Sequence, residues 1–305
     1  MSSFANLKKS SGSSLEKLSK AVESMNSSSG FNDGEDKYWK CEVDKTGNGY
    51  AIIRFLPTPS QDEDNGLPWV KYYDHGFQGV GGWYIEKSLT TIGQPDPVSD
   101  YNSQLWNSGI EANKDLARKQ KRRLHYVSNV YIVKDPKHPE NEGKVFYFRY
   151  GKKIFEKITQ AMNPQFEDDR AIDPFDLWTG ANFKLKIRKV DGYQNYDLSE
   201  FDSPGTLSED DAELEAIWKK EYSLKEVIDP KNFKGYDDLK AKLDRVLGLN
   251  SSSTKSSPTI EGVKQQRIQE KETEMEELVI PTKSGSDDTE DESDLDYFSA
   301  LLNDD

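Results

Sequence analysis

Residues 182–190 alternate apolar and cationic positions: Phe183, Leu185 and Ile187 fall on one side of an extended chain, Lys184, Lys186 and Arg188 on the other. One face of this strand therefore belongs in a core, and the other carries a row of positive charge. Runs rich in aromatic and β-branched residues predict further strands at 38–43, 50–56, 69–73, 83–86, 124–134 and 144–150. Residues 44–49 hold glycines suited to a tight turn, and Pro57 ends the strand that follows. The last two strands flank a proline-punctuated loop and read as a hairpin. The glycine run 76–82 lacks the Gly-Lys-Ser/Thr ending of a phosphate loop and reads as a hairpin loop. Helical spacing appears at 152–162, where Ile154, Ile158, Ala161 and Met162 share a face, and at 208–221, 223–228 and 236–247, the last stopped by Gly248. Residues 88–107 read as polar and turn-rich, with Pro95 and Pro97 excluding regular helix.

The ends follow different patterns. Ser13 and Glu16 form a capping box ahead of Leu15, Leu18, Val22 and Met25, an apolar stripe too narrow to fold alone. This arm bears four lysines in its first twenty residues, and a Ser/Gly linker follows it. Beyond residue 250 the chain turns Ser-rich and then acidic, which predicts disorder with a short amphipathic tip of Leu295, Phe298, Leu301 and Leu302. The expected organisation is an arm over 1–30, a core over 31–250 and a linker with tail over 251–305.

Charge changes the picture. Across 305 residues the formal net charge is -14, but residues 261–305 hold fifteen acids and four bases, so residues 1–260 carry only about -3. Residues 114–157 run the other way, with thirteen Lys or Arg against five Asp or Glu. The run Arg118-Lys119-Gln120-Lys121-Arg122-Arg123 leads into the hairpin, where Tyr126, Tyr131, Phe146, Tyr147, Phe148 and Tyr150 lie among the charges. Cations that neutralise phosphates, interleaved with rings on which bases stack, suit sequence-tolerant binding of a single strand. Asp191 and Gly192 make a turn that offers Tyr193 and Tyr196 beside the strand.

Other classes fit less well. The single cysteine, Cys41, excludes an intramolecular disulfide and a multi-cysteine zinc site, and alternation places it on an apolar face. The sequence has neither a membrane-length apolar run nor a signal-peptide pattern, so a soluble cytosolic protein is expected. A metal-dependent nuclease needs carboxylates held on a scaffold, yet Glu209-Asp210-Asp211 starts a helix and the acids of 287–296 lie in low-complexity sequence. His75, His125 and His138 are scattered and form no triad. An acidic DNA mimic would account for the tail but not for the basic rows. The reading is a binding protein, not an enzyme.

Ordered motifs carry a family resemblance: Gly47-Asn48-Gly49 with Ile53-Arg54-Phe55-Leu56-Pro57, His75-Gly76-Phe77, Trp83-Tyr84-Ile85-Glu86, Lys121-Arg122-Arg123 with Tyr126, Arg149-Tyr150-Gly151-Lys152-Lys153, Gly180-Ala181-Asn182-Phe183 and Asn195-Tyr196-Asp197. Together they resemble the single-stranded DNA-binding, helix-destabilising replication proteins of T-even-type bacteriophages. The resemblance implies an α+β fold with an OB-fold-like β-barrel core, peripheral helices, a basic N-terminal arm for cooperative binding and a disordered acidic C-terminal tail. It implies self-association along the DNA, and recruitment of phage polymerase, helicase-loader and recombination proteins in the cytoplasm of the infected bacterial host.

Family DNA-contacting rings map onto Trp106, Tyr126, Phe148, Tyr193 and Tyr196, while Val127 replaces an aromatic. Arg54, Arg149 and Tyr150 stand in the shared motifs, and with Lys121, Arg122, Arg123, Lys184, Lys186 and Arg188 they complete the expected DNA-binding set. Lys8, Lys9, Ser10 and Ser11 match the family's basic-then-hydroxyl motif in the arm. The family's zinc site, one histidine and three cysteines, maps onto His75, Ser88, Asp96 and Ser99. With no thiolate left, no cofactor is expected.

Overall fold

The structure, a computed structural model, describes residues 35–62, 66–166 and 170–249. The arm with Lys8, Lys9, Ser10 and Ser11 and the tail with Leu295, Phe298, Leu301 and Leu302 lie outside the described residues. The strands are β1 (Tyr38–Trp39), β2 (Gly49–Phe55), β3 (Val70–Gly79), β4 (Gly82–Lys87), β5 (Arg123–Lys134), β6 (Val145–Tyr150), β7 (Phe183–Val190), β8 (Tyr193–Asn195) and β9 (Glu200–Phe201). The helices are α1 (Pro97–Asn107), α2 (Glu111–Gln120), α3 (Lys152–Met162), α4 (Asp211–Trp218), α5 (Leu224–Val227) and α6 (Tyr236–Leu247).

Strand β5 is the spine. Along one edge its first half pairs antiparallel with β3 and its second half with β2, while β6 runs along the other edge. The main path reads β1-β6-β5-β2-β7-β8, with β4 on β3 and β9 on β7. No pairing among the described strands joins the two ends, so this is a large open sheet, not a barrel closed by hydrogen bonds.

Alternation decides what each face does. Val130, Ile132, Phe148 and Tyr150 turn to one side with Ile53, Phe55, Phe183, Leu185 and Ile187, all buried in one core. Phe55 sits among Tyr150, Phe175 and Phe183, each with ring centroids 5.7 Å from its own. Truncating it to alanine would cost about 3–5 kcal/mol. Ile154 and Ile158 of α3 close this core, as their spacing predicts. Val127 and Tyr147 turn to the other side, against Leu224 and Val227.

Local chemistry corrects three expectations. Pro97 does not exclude a helix: it occupies the first turn of α1, where no amide partner is needed, and Asp96 caps it by accepting from the Val98 and Ser99 amides. The basic run does not lead straight into a strand, because α2 takes it as far as Gln120. The expected strand over 38–43 shrinks to β1, which pairs in parallel with β6, although Cys41 is buried as expected. The glycine run also has a physical reason. A Cβ on Gly79 would lie 2.3 Å from the Val246 carbonyl and one on Gly81 2.1 Å from that of Arg245, so bare backbone lets the β3–β4 hairpin seat the end of α6. Gly248 then ends α6 at φ 74°, as its sequence position predicts.

Candidate nucleic-acid interface

Three consecutive residues of β3 hold the segment that joins α2 to β5. The Arg122 guanidinium lies 4.3 Å from the centroid of the Tyr73 ring. Asp74 Oδ1 accepts from Arg123 Nε at 2.8 Å and lies 3.0 Å from His125 Nε2. Burial would raise the Asp74 pKa, but hydrogen bonds and charge from His125 and Arg123 hold it below the ordinary value. His75 Nδ1 lies 3.1 Å from the Gln120 carbonyl oxygen. Arg122 and Arg123 thus leave the helix on a strand that holds both, Arg122 on its Tyr73 face and Arg123 on its Asp74 face.

Beside them runs a track of rings. Tyr126 pairs in register with the exposed Lys71, and Leu124 with Tyr73, so these four share one face of the sheet. Phe155 of α3 stacks on Tyr126 with centroids 4.0 Å apart, and Trp69 meets Phe155 edge-on at 5.5 Å. Burial pushes the Tyr126 hydroxyl pKa up, and the charge of Lys152 works against that shift. Farther along α3, Lys153 lies 3.9 Å from Asp197 and Lys157 Nζ donates to the Asp197 carbonyl at 2.9 Å, which brings the loop of Tyr193 and Tyr196 alongside. Tyr193 is 52% exposed, and Tyr196 is half-buried with its hydroxyl 3.0 Å from Gln194 Oε1. Trp106 sits on α1 between cations, 5.5 Å from Lys114 Nζ and 5.4 Å from Arg118 Cζ.

Several expected residues lie elsewhere. Arg54 is 1% exposed and donates to the carbonyls of Asp176, Leu177 and Gly205 at 3.0, 3.3 and 2.7 Å, so it clamps two chain segments. Phe148 and Tyr150 are core residues, because the alternation that exposes Arg149 between them turns both rings inward. Arg149 points to the opposite face, 3.4 Å from the Tyr72 hydroxyl, the face that Asp74 and Arg123 also share. Lys184, Lys186 and Arg188 do alternate with buried residues, but Asp202 and Glu200 stand 2.8 and 2.7 Å from the two lysines. Lys71, Tyr73, Trp69 and Phe155 stand outside the expected set and join the candidate site through the contacts above. Trp69, Lys71 and Tyr73 occupy alternate positions of one short run, which was the available signal.

A family model described as "gp32 DNA binding protein like" matches residues 47–247. The single-stranded DNA-binding protein of Enterobacteria phage T4 is 32% identical over 305 residues, covering 95% of this chain and 98% of that protein. That of phage T2 is 33% identical over 289 residues, covering 90% and 92%. The chain belongs to the gp32-like family.

Within this gp32-like chain, the four positions matched to the zinc ligands form a hydrogen-bonded hub. Asp96 Oδ1 lies 3.1 Å from His75 Nε2 and from the Val98 and Ser99 amides, and Oδ2 lies 3.0 Å from Ser88 Oγ and the Leu89 amide. Burial alone would push the Asp96 carboxyl up. The hydrogen bond and charge of His75, with the Ser99 and Leu89 amides, hold it down at about 2. Zinc does not fit this donor set: both nitrogens of His75 face acceptor oxygens, five donors surround Asp96, and hydroxyls replace thiolates. Ser99 gives its amide alone, and its buried hydroxyl has no partner among the described residues.

Proposed function

We propose that this chain binds single-stranded DNA without reading its sequence, neutralising phosphates with Lys71, Lys121, Arg122 and Lys152, and with Arg123 from the other face at the start of β5, and packing bases along the track from Tyr73 through Tyr126 to Tyr196, with Trp106 and Tyr193 at its margins. The observation that carries this reading is the Arg122–Tyr73 pair on the same sheet face as Tyr126, which joins cation to ring at one place. The names of the phage T4 and T2 relatives support it. In this reading the open sheet serves as an OB-like core, with the strand lying across it as on OB-fold binders.

Binding is cooperative through the arm, with Lys8, Lys9, Ser10 and Ser11 engaging a neighbouring copy. The tail, with nine acids and no Lys or Arg over 284–305, competes weakly with DNA and, once displaced, offers Leu295, Phe298, Leu301 and Leu302 to replication, recombination and repair partners in the host cytoplasm. The protein protects and straightens the strand and performs no catalysis. Titration with a short single-stranded oligonucleotide, following Trp and Tyr emission with and without magnesium, tests this. Quenching without cleavage, weakening with salt by a log–log slope of about 0.7 per phosphate neutralised, is expected. Cleavage, or no quenching at low salt, would overturn it.

A further inference from the structure

His75 is fully buried and Asp96 is 1% exposed, so neither can touch a DNA strand. Their geometry nevertheless leads to one. Asp96 gathers donors from β3, from the end of β4 and from the start of α1. His75 carries that order outward, since its second nitrogen meets the Gln120 carbonyl at the last residue of α2. The next residues are Lys121, Arg122 and Arg123. The neighbours of His75 in β3, Tyr73 and Asp74, receive two of them.

Gly76 fits the same arrangement. A Cβ there would lie 2.3 Å from Arg123 Nη2 and 2.4 Å from Arg123 Cζ, so the guanidinium crosses β3 where the strand has no side chain. Four successive positions of β3, from Tyr73 to Gly76, are thus shaped to the cation run. An imidazole that swung away from Gln120 would leave the end of α2 untied, and the arginines would lose the register that places them over Tyr73 and Asp74.

We propose that Asp96, acting through His75, is a positioning residue for the strand-binding arginines: a carboxylate–imidazole–hydroxyl hub holds the end of α2 where related proteins are expected to use a metal. This rests on the reading that Arg122 and Arg123 bind phosphate. Positioned cations pair with successive phosphates without reorganising, whereas the same cations on a loose segment lose freedom on binding. The hub therefore acts on affinity and on the number of phosphates engaged, not on fold alone.

The test is a double-mutant cycle on the full chain, read as the salt dependence of binding to an oligonucleotide with room for one protein. Asp96→Asn is expected to weaken binding and to lower the log–log salt slope by about 0.7 for each phosphate that is no longer neutralised. In an Arg122→Ala/Arg123→Ala background it should change affinity by less than about 2-fold, because its route has been removed. Equal losses in both backgrounds, or no loss in either, would overturn the proposal while leaving phosphate binding by the arginines intact. Normal binding and slope in the double arginine variant would overturn the underlying reading as well. Should circular dichroism show that Asp96→Asn does not fold, Ser88→Ala, which removes one of the five donors, goes through the same cycle with the same criteria.

Discussion

Phe155 lies flat against Tyr126, with ring centroids 4.0 Å apart and planes 6° from parallel. Tyr150 stacks on Tyr126 as well, at 5.8 Å and 15°. Tyr126 is therefore one layer of an aromatic wall, and on the proposed function a DNA strand would meet the wall as a unit. Tyr126→Ala and Phe155→Ala should each weaken single-strand binding by about 1–3 kcal/mol. The double variant should lose no more than the larger single loss, because either truncation breaks the same stack. Strictly additive losses in oligonucleotide titrations would mean two independent platforms.

Lys184 and Lys186 already have carboxylate partners, at 2.8 Å on Asp202 and 2.7 Å on Glu200. These pairs are exposed, so they stabilise the fold little, but they offset charge that phosphate would otherwise meet. Asp202→Asn with Glu200→Gln should tighten single-strand binding at low salt and steepen its salt slope by up to about 0.7 per released lysine. An unchanged slope would place this row outside the strand's path.

Glu221 is a buried carboxyl whose two oxygens find no hydrogen-bond partner among the described residues. Burial, helped by the nearby charge of Asp62, pushes its pKa from 4.5 up to about 9. Between those values the folded protein holds a proton that the unfolded chain has lost, so stability falls as pH rises through the window. Glu221→Gln should flatten that dependence and stabilise the protein by about 1–3 kcal/mol near pH 9. Urea unfolding at pH 5, 7 and 9 measures it, and parallel curves for the two proteins would contradict the assignment.

The hub at Asp96 predicts indifference to chelators. Its five donors come from the chain itself, so dialysis against EDTA should leave the thermal midpoint unchanged. One equivalent of tightly held zinc, with loss of structure on its removal, would mean that the loop binds metal by a different arrangement.

Periodicity made the strands β2 and β5 to β7 and the helices α3 and α6 legible, because each is amphipathic at its own period. Helix α1 was hidden by Pro97, whose effect reverses between the first turn of a helix and its interior. Helix α2 was hidden inside a charge run, since lysine and arginine favour helix as readily as they bind phosphate, and Ala117 is its one buried apolar residue beside the polar Asn113 and Gln120. Arg54 carried no signal at all. A buried arginine is betrayed only by the three carbonyls that receive it, and these come from residues more than a hundred positions away. The site was legible as a mixture of charge and rings. Which rings are exposed was not, because Tyr126, Phe148 and Tyr150 alternate onto the same core side and only the place where the sheet runs past its covering decides exposure.

Photocrosslinking tests the central claim most directly. A single-stranded oligonucleotide carrying a photoreactive halogenated uracil, irradiated with the full chain and mapped by peptide mass, should mark Tyr73, Tyr126 and Tyr196, with Trp106 or Tyr193 at the margins. Crosslinks confined to the opposite face, at Tyr38, or to the exposed Trp83 of β4, would contradict the account.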